Sequence, residues 1–202
     1  FSVPSTAVFM RRLGALKAGA YPKLRVSLFC GEALTIEIAS AWAAAAHNSV
    51  VENFYGPTEL TIACTHYRWD PGRPPAESAL GLVPIGRPFP GMRPLVVSET
   101  LEVLEAGAEG ELLMTGPQLT PGYWHDPDKT AAAYVVPQGH GETYYRTGDR
   151  VRRTGQDGPL LYLGRIDDQI KVLGHRVELG EVEAVVREES GIDSVVAVGW
   201  PR

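Results

Sequence analysis

Three short apolar runs, FSV at 1–3, LRVSLF at 24–29 and VVENF at 50–54, are separated by two stretches of helical character. The first stretch runs from Ser5, a residue type suited to a helix N-cap, through TAVFMRRLGAL. The second is LTIEIASAWAAAA, in which Ile38, Trp42 and Ala45 fall on one face at helical spacing. So tight an alternation of strand and helix leaves few options: a parallel sheet with right-handed crossovers. The expected start is an α/β core fragment, a parallel βαβαβ unit closing the large N-terminal core over residues 1–70. In such sheets ligands sit in the crevice beyond the carboxyl ends of the strands. Gly31-Glu32-Ala33 directly follows the second run, and Tyr55-Gly56-Pro57-Thr58-Glu59 the third, so both loops should open into one crevice.

The texture changes near residue 70. DPGRPPAESALGLVPIGRPFPG is rich in Pro and Gly, lacks a helical period and reads as a connection. From Leu95 to Leu163 come the strand-like runs LVV, ELLMTG, TYYRTGD and LLYLG, with TGQDG at 154–158 as a hairpin loop. A distorted antiparallel β-barrel is expected over 71–164. A polar hinge follows at 165–168, then the start of a small α+β C-terminal lid over 169–202. There QIKVLGHRVE reads as a hairpin, LGEVEAVVREE as a helix with Leu179, Val182 and Val186 inward, and SVVAVG as a returning strand.

Composition excludes several classes. A net charge of −5 argues against nucleic acid or an anionic membrane as the main partner. Only Cys30 and Cys64 are present, without CxxC spacing, which suits a reducing, cytoplasmic compartment rather than a disulfide framework. AWAAAAHNSVV, the nearest approach to a membrane segment, is too short and is broken by His47 and Asn48. The histidines show no HExxH or paired metal spacing, and no serine lies in a GxSxG elbow. The absence of a starting Met and the apolar VVAVGWPR end suggest a fragment.

NFYGPTE, residues 53–59, carries more than a turn requires. Gly56 and Pro57 serve the backbone. Tyr55 adds a π-face suited to an adenine ring, worth about 1–3 kcal/mol by analogy with base stacking, or it simply packs over the turn. Thr58 can donate to a phosphate or bond locally. Glu59 supplies a hard oxygen ligand of the kind magnesium takes, or a solvated surface charge. Gly31 and Ala33 lack bulk, which serves nucleotide approach or a tight turn equally. Asp149 in RTGD can accept from two adjacent hydroxyls, or be a hairpin Asp. Arg165 offers a forked donor set for phosphate or ribose, or pairs with Asp167 or Asp168.

NFYGPTE, GELLMTGPQLTPGYWHDPDKT, YYRTGD and YLGRIDDQIKVLGHRVELGEVE occur in that order at suitable spacing. Together they resemble the adenylate-forming superfamily, specifically the amino-acid adenylation domains of nonribosomal peptide synthetases and their stand-alone relatives. The resemblance implies a ligase that joins an amino acid to ATP as an aminoacyl-AMP, with Mg²⁺. It then passes the aminoacyl group to the phosphopantetheine thiol of a peptidyl or acyl carrier protein. It implies nucleotide contacts from Gly31, Glu32, Ala33, Asn53, Phe54, Tyr55, Gly56, Thr58, Asp149 and Arg165. Thr58 and Glu59 become the catalytic pair, and Glu59 the metal ligand. Asp167 matches the hinge, and Lys171 and Gly174 lie in the lid loop. By motif register the substrate pocket is Ser2, Leu28, Cys30, Phe54, Ile62 and Ala63, mostly apolar, which implies a small or apolar amino acid. Cys30 is equally an ordinary buried strand residue. The family's phosphate loop, the upstream Asp for the substrate amino group and the C-terminal Lys have no match here. The chain is therefore expected to need the remainder of the adenylation domain and to be inactive alone. Alternatives are an acyl- or aryl-CoA ligase of the same superfamily, or a non-catalytic nucleotide-binding fragment.

Overall fold

The computed structural model describes residues 1–167, 169–192 and 194–199. Strands β1 (Val26–Phe29) and β2 (Val50–Tyr55) pair in parallel, joined by helix α2 (Ile36–Ala45). The first apolar run contributes only a parallel bridge, Ser2 to Phe29. Beyond β2 the sheet turns antiparallel through β3 (Thr65–Trp69) and β4 (Arg87–Pro88), giving a mixed sheet in the order β1-β2-β3-β4. The wholly parallel unit expected over 1–70 is thus parallel only as far as β2. THYRW, the sequence of β3, alternates too weakly to announce itself as a strand.

Helix α1 (Pro4–Arg12) starts one residue before Ser5. Pro4 suits the first helical position because it has no N–H to satisfy and its φ is preset. The Ser5 N–H is taken instead by the Glu32 carboxylate at 2.7 Å, reaching over from the loop after β1. Helix α2 is N-capped by a side chain: Thr35 Oγ1 accepts from the Ile38 N–H at 3.2 Å. Its buried face is Ile38, Ala39, Trp42 and Ala45. Trp42 packs edge-on against Phe29 at 5.1 Å between ring centroids and donates its indole N–H to Ser27 Oγ at 2.8 Å. This is how the helix is fixed on the sheet that carries both crevice loops.

The second unit is antiparallel: β5 (Arg93–Val97), β6 (Glu109–Thr115), β7 (Tyr134–Val135), β8 (Tyr144–Arg153) and β9 (Leu160–Arg165). One edge of β8 pairs with β6; the other is shared by β7 and β9. The result is a half-barrel among the described residues, short of the expected barrel. The short helix α3 (Pro127–Ala133) leads into β7. A bridge from Gly86 to Leu160 joins the two sheets, with the Leu160 N–H donating to the Gly86 carbonyl at 2.8 Å. Only glycine can stand there: φ is +86° and a Cβ would lie 1.8 Å from the His66 carbonyl oxygen. Across this seam one core forms, from Tyr55, Leu60 and Ile85 to Leu112, Met114, Tyr145 and Leu160.

The C-terminal segment begins with the expected hairpin, β10 (Gln169–Val172) and β11 (His175–Glu178), turning at Leu173 and Gly174, both at positive φ. Helix α4 (Leu179–Ser190) follows and ends on Gly191. Two expectations fail here. No α4 residue is buried, so Val182 and Val186 stay exposed, and residues 194–199 form no strand. An amphipathic helix hides its face only when a second layer covers it, and the described residues supply none. No described helix is long and apolar enough to cross a membrane.

Candidate active site

The loops after β1 and β2 do open into one space, a cavity of about 1040 Å³. Gly31, Glu32, Ala33, Asn53, Phe54, Tyr55 and Gly56 form one wall, and Arg165, Asp167 and Lys171 face them. A smaller cavity of about 240 Å³ adjoins it, lined by Cys30, Thr58, Ile62, Asp149, Gly174 and Arg176 among others. Gly56 holds the β2 loop close: a Cβ there would lie 2.6 Å from the Ala63 Cα.

Asp149 sits on β8 directly opposite Arg165 on β9. Its carboxylate is 5 % exposed and fully engaged. One oxygen accepts from the Tyr55 hydroxyl, the other from Arg165 Nη1 at 3.1 Å. The same guanidinium donates to the Thr147 carbonyl at 2.8 Å and, through Nε, to Asp167 Oδ1 at 2.7 Å. Burial pushes the Asp149 carboxyl above its usual range, against the pull of Arg165 and of the Tyr55 hydroxyl. Burial pushes the Tyr55 phenol up as well, reinforced by the Asp149 charge, so it stays protonated and donates. The ring that offered a stacking face lines both cavities, yet only 7 % of Tyr55 is exposed and the rest belongs to the core. The alternative pairing of Arg165 with Asp168 lies outside the described residues; that with Asp167 is present.

Glu59 is the second buried carboxylate, 7 % exposed, in a 3₁₀ turn after Pro57. The Tyr123 hydroxyl donates to its Oε1 at 2.6 Å, and Arg176 Nη1 lies 3.1 and 3.2 Å from the two oxygens. Burial alone would raise its pKa, but the Tyr123 hydrogen bond, backbone contacts and the Arg176 charge outweigh it and hold the carboxyl below its usual range. Magnesium takes one or two carboxylates together with phosphate oxygens and waters. Here a guanidinium already spans both oxygens, and no group of three or more His, Cys, Asp or Glu positioned for a metal exists among the described residues. Paired in this way, Glu59 does not fit a magnesium ion.

The remaining expected residues divide. Asn53 lines the cavity wall, but its amide nitrogen is spent on the Pro84 carbonyl at 2.9 Å. Glu32 lines it while holding the start of α1. Thr58 reaches only the smaller cavity, as do Cys30 and Ile62. The Cys30 thiol points at the Ile62 carbonyl, 3.7 Å away. Burial pushes Cys30 up and Cys64 up to about 12, so neither is a thiolate at neutral pH. Phe54 faces the larger cavity with its ring against Phe89 at 5.5 Å. Ser2, Leu28 and Ala63 line neither cavity. Gly174 turns the lid hairpin against Val3.

Two contacts have no counterpart among the expected residues, those of Tyr123 and Arg176. Strand alternation in HRVE puts Arg176 and Glu178 on one face, which marks Arg176 as directed but not toward what. Tyr123 lies in an irregular loop and carries no periodic signal.

Residues 1–124 match the model of a family described as AMP-binding enzyme. The phosphinothricin tripeptide synthetase PhsC of Streptomyces viridochromogenes is 40 % identical over 189 residues, 92 % of this chain and 16 % of that protein. Novobiocin biosynthesis protein H of Streptomyces niveus is 37 % identical over 190 residues, 93 % of this chain and 30 % of that protein. Among solved structures, the Vibrio cholerae adenylation domain AlmE, in complex with glycyl-adenosine-5'-phosphate, matches with a TM-score of 0.85. It is 39 % identical, and the match covers 99 % of this chain and 37 % of AlmE. PA1221, a protein with adenylation and PCP domains, matches with a TM-score of 0.71 at 30 % identity, over 81 % of this chain and 33 % of that one. This chain belongs to the AMP-binding enzyme family, among the adenylation domains of nonribosomal peptide synthetases.

Proposed function

We propose that the chain is the rear part of an amino-acid adenylating ligase that forms aminoacyl-AMP and delivers the aminoacyl group to a carrier-protein phosphopantetheine. The observation that carries this is the meeting of both strand-end loops with Arg165 around one cavity of nucleotide-binding size, with Asp149 lining the smaller cavity beside it. In the first half-reaction a carboxylate oxygen of the amino acid attacks the α-phosphorus of ATP. The new carbonyl C–O–P linkage forms as the α–β anhydride breaks and pyrophosphate leaves. In the second, the pantetheine thiolate attacks the acyl carbon and AMP leaves.

The side chains act by positioning. Asp149 meets the ribose hydroxyls, with Arg165 shifting between that carboxylate and the nucleotide oxygens. Gly31, Ala33 and Gly56 let backbone approach the base; Glu32, Asn53, Phe54 and Tyr55 shape the wall. Thr58 addresses the α-phosphate from the smaller cavity. Cys30, Phe54 and Ile62 present no charge, which favours a small or apolar amino acid; Ser2, Leu28 and Ala63 act behind them. Asp167 is the hinge, and Lys171 and Gly174 bring the lid to the site. The role of Glu59 toward magnesium belongs to a different lid position. The partners are the rest of the adenylation domain and a carrier domain, in a cytoplasmic setting. Amino-acid-dependent ATP–pyrophosphate exchange by the complete enzyme tests this. Exchange with no amino acid, alongside formation of an acyl-CoA, would move the function to the CoA-ligase branch.

A further inference from the structure

The turn that carries Ile62 is held in a conformation its own residues resist. Thr61 has φ 55° and ψ 62°, and Ile62 has φ 73°, so two successive β-branched residues occupy left-handed space. The Ala63 N–H donates to the Thr61 carbonyl at 2.9 Å, which makes Ile62 the centre of a γ-turn of the rarer, strained hand. Such a conformation persists only where its surroundings over-determine it. Burial of Ile62 does not hold the turn, because its side chain is 65 % exposed and lines the smaller cavity. The hold comes from Gln118, just past the end of β6. Its Nε2 donates to the Ala63 carbonyl at 2.9 Å, and the same nitrogen lies 3.5 Å from the Thr61 carbonyl. In return Thr61 Oγ1 donates to the Gln118 backbone carbonyl at 2.9 Å. The Cys30 thiol is directed at the Ile62 carbonyl from the end of β1. The turn is also pressed against the crevice loop, since a Cβ on Gly56 would lie 2.9 Å from the Ile62 carbonyl oxygen.

We propose that Gln118 is a positioning residue for amino-acid selection: it holds the Thr61–Ala63 turn in the strained form that presents Ile62 to the smaller cavity. The proposal rests on the reading of Ile62 as a wall of the substrate pocket. Gln118 itself lines neither cavity and so acts only through the turn. A carboxamide suits the task, because one NH₂ group carries two protons for two nearby carbonyls. Without it the Ala63 carbonyl loses its side-chain donor, and little then opposes a return of Thr61 and Ile62 to negative φ. That rotation swings the Ile62 side chain, and the cavity wall moves with it. An apolar pocket discriminates by shape, so a displaced wall admits a competitor that a fixed one rejects. The Asp149–Arg165 pair has no contact with Gln118 and stays in place.

The test is pyrophosphate exchange by the complete enzyme over a panel of the proteinogenic amino acids and their D-enantiomers. The unaltered enzyme is compared with Gln118→Leu, Ile62→Gly and the double variant. Gln118→Leu removes the donor at nearly constant size. It is expected to lower discrimination between the best substrate and the next larger apolar amino acid about tenfold, the low end of what a methylene is worth in an apolar pocket. The KM for the amino acid should rise while that for ATP stays within about twofold, a split that general destabilisation does not give. Glycine takes positive φ freely, so in the Ile62→Gly background the turn needs no clamp and Gln118→Leu should add less than about twofold. Unchanged discrimination in Gln118→Leu, equal loss towards amino acid and ATP, or full additivity with Ile62→Gly would each overturn the proposal. If Ile62→Gly leaves the ranking of the panel unaltered, the reading of Ile62 as a pocket wall fails, and the proposal with it. Exchange with no member of the panel would sink the ligase reading and the proposal built on it.

Discussion

Asp149 and Glu59 are both buried carboxylates, each paired with one arginine and one tyrosine hydroxyl, yet they sit in opposite electrostatic states. Burial dominates at Asp149 and raises its pKa; at Glu59 the partners outweigh burial and lower it. The difference lies in where the arginine comes from. Arg165 faces Asp149 across adjacent strands of one sheet, in register. Its place is set by the fold, and it is shared with Asp167 and the Thr147 carbonyl. Arg176 reaches Glu59 from the lid, with Glu178 only at 3.9 Å as a second carboxylate. One network is part of the core; the other is a latch between two units 117 residues apart in sequence.

The largest expected effect breaks the anchor. Asp149→Ala leaves Arg165, 13 % exposed in its side chain, with Asp167 as its remaining carboxylate, and leaves the Tyr55 hydroxyl without an acceptor. Removing one partner of a buried pair costs about 3–5 kcal/mol, and, on the proposed role of Asp149, loss of its charge-assisted ribose contact weakens ATP binding by about 1.5–3 kcal/mol. Calorimetric melting and ATP titration of the complete enzyme measure the two. Wild-type values in both would leave Asp149 with neither role.

Asp167→Pro acts between the two networks. Proline fixes φ near −65° and restricts Ile166 before it, and the substitution also removes the carboxylate that clamps Arg165. One lid orientation should become hard to reach. The expected outcome is pyrophosphate exchange retained within about tenfold and carrier loading lost by more than that. Equal loss of both activities would indicate misfolding, and loss of neither would place the hinge elsewhere.

Opening the latch should be milder. Glu59→Gln leaves Arg176 free to turn to water, so the cost to global stability is expected at about 1 kcal/mol or less, as for partly exposed pairs. Proteolytic susceptibility of the 169–178 hairpin should nevertheless rise several-fold, because the opening is local. A fall in stability as large as that of Asp149→Ala would erase the distinction between anchor and latch.

The smallest effect is in pH, and its sign separates the two sites. Glu59 has a folded pKa below its ordinary value near 4.5, so its contribution is full above that value and is lost as pH falls through the folded one. Asp149 is raised above its ordinary value near 3.8, so its contribution is greatest below that value and declines as pH rises through the folded one. Acidification from about pH 7 towards pH 3 should therefore loosen the hairpin before the β8–β9 pair. Residue-resolved amide exchange, corrected for intrinsic rates, reads both; simultaneous loss would contradict it.

Much of this was legible in the sequence where a local rule applied. The helical face of Ile38, Trp42 and Ala45, the loops following β1 and β2, the TGQDG turn and the 169–178 hairpin all follow from spacing and turn chemistry. Errors came where the local pattern was weak or the covering layer lay elsewhere. β3 was invisible because its pairing with β2 runs through a turn whose meaning lies in Gly56 and Ala63 touching. The expected strand at 194–199 and the inward face of α4 failed for a related reason. Apolar residues state a preference for burial, and only a neighbouring layer can grant it.

By itself the sequence determined the opening alternation of strands and helices, the two crevice loops and which residue types could carry chemistry, Asp149, Arg165, Tyr55 and Glu59 among them. Those depend on interactions within a few residues, and short-range geometry is written in composition and spacing. Only the tertiary structure decided which charges meet. Whether Arg165 faces Asp149 depends on the β8–β9 register, and whether Arg176 faces Glu59 depends on where a hairpin 117 residues away comes to rest. Electrostatic state follows distance and burial rather than residue type, so two carboxylates that look alike in the chain end as an anchor and a latch.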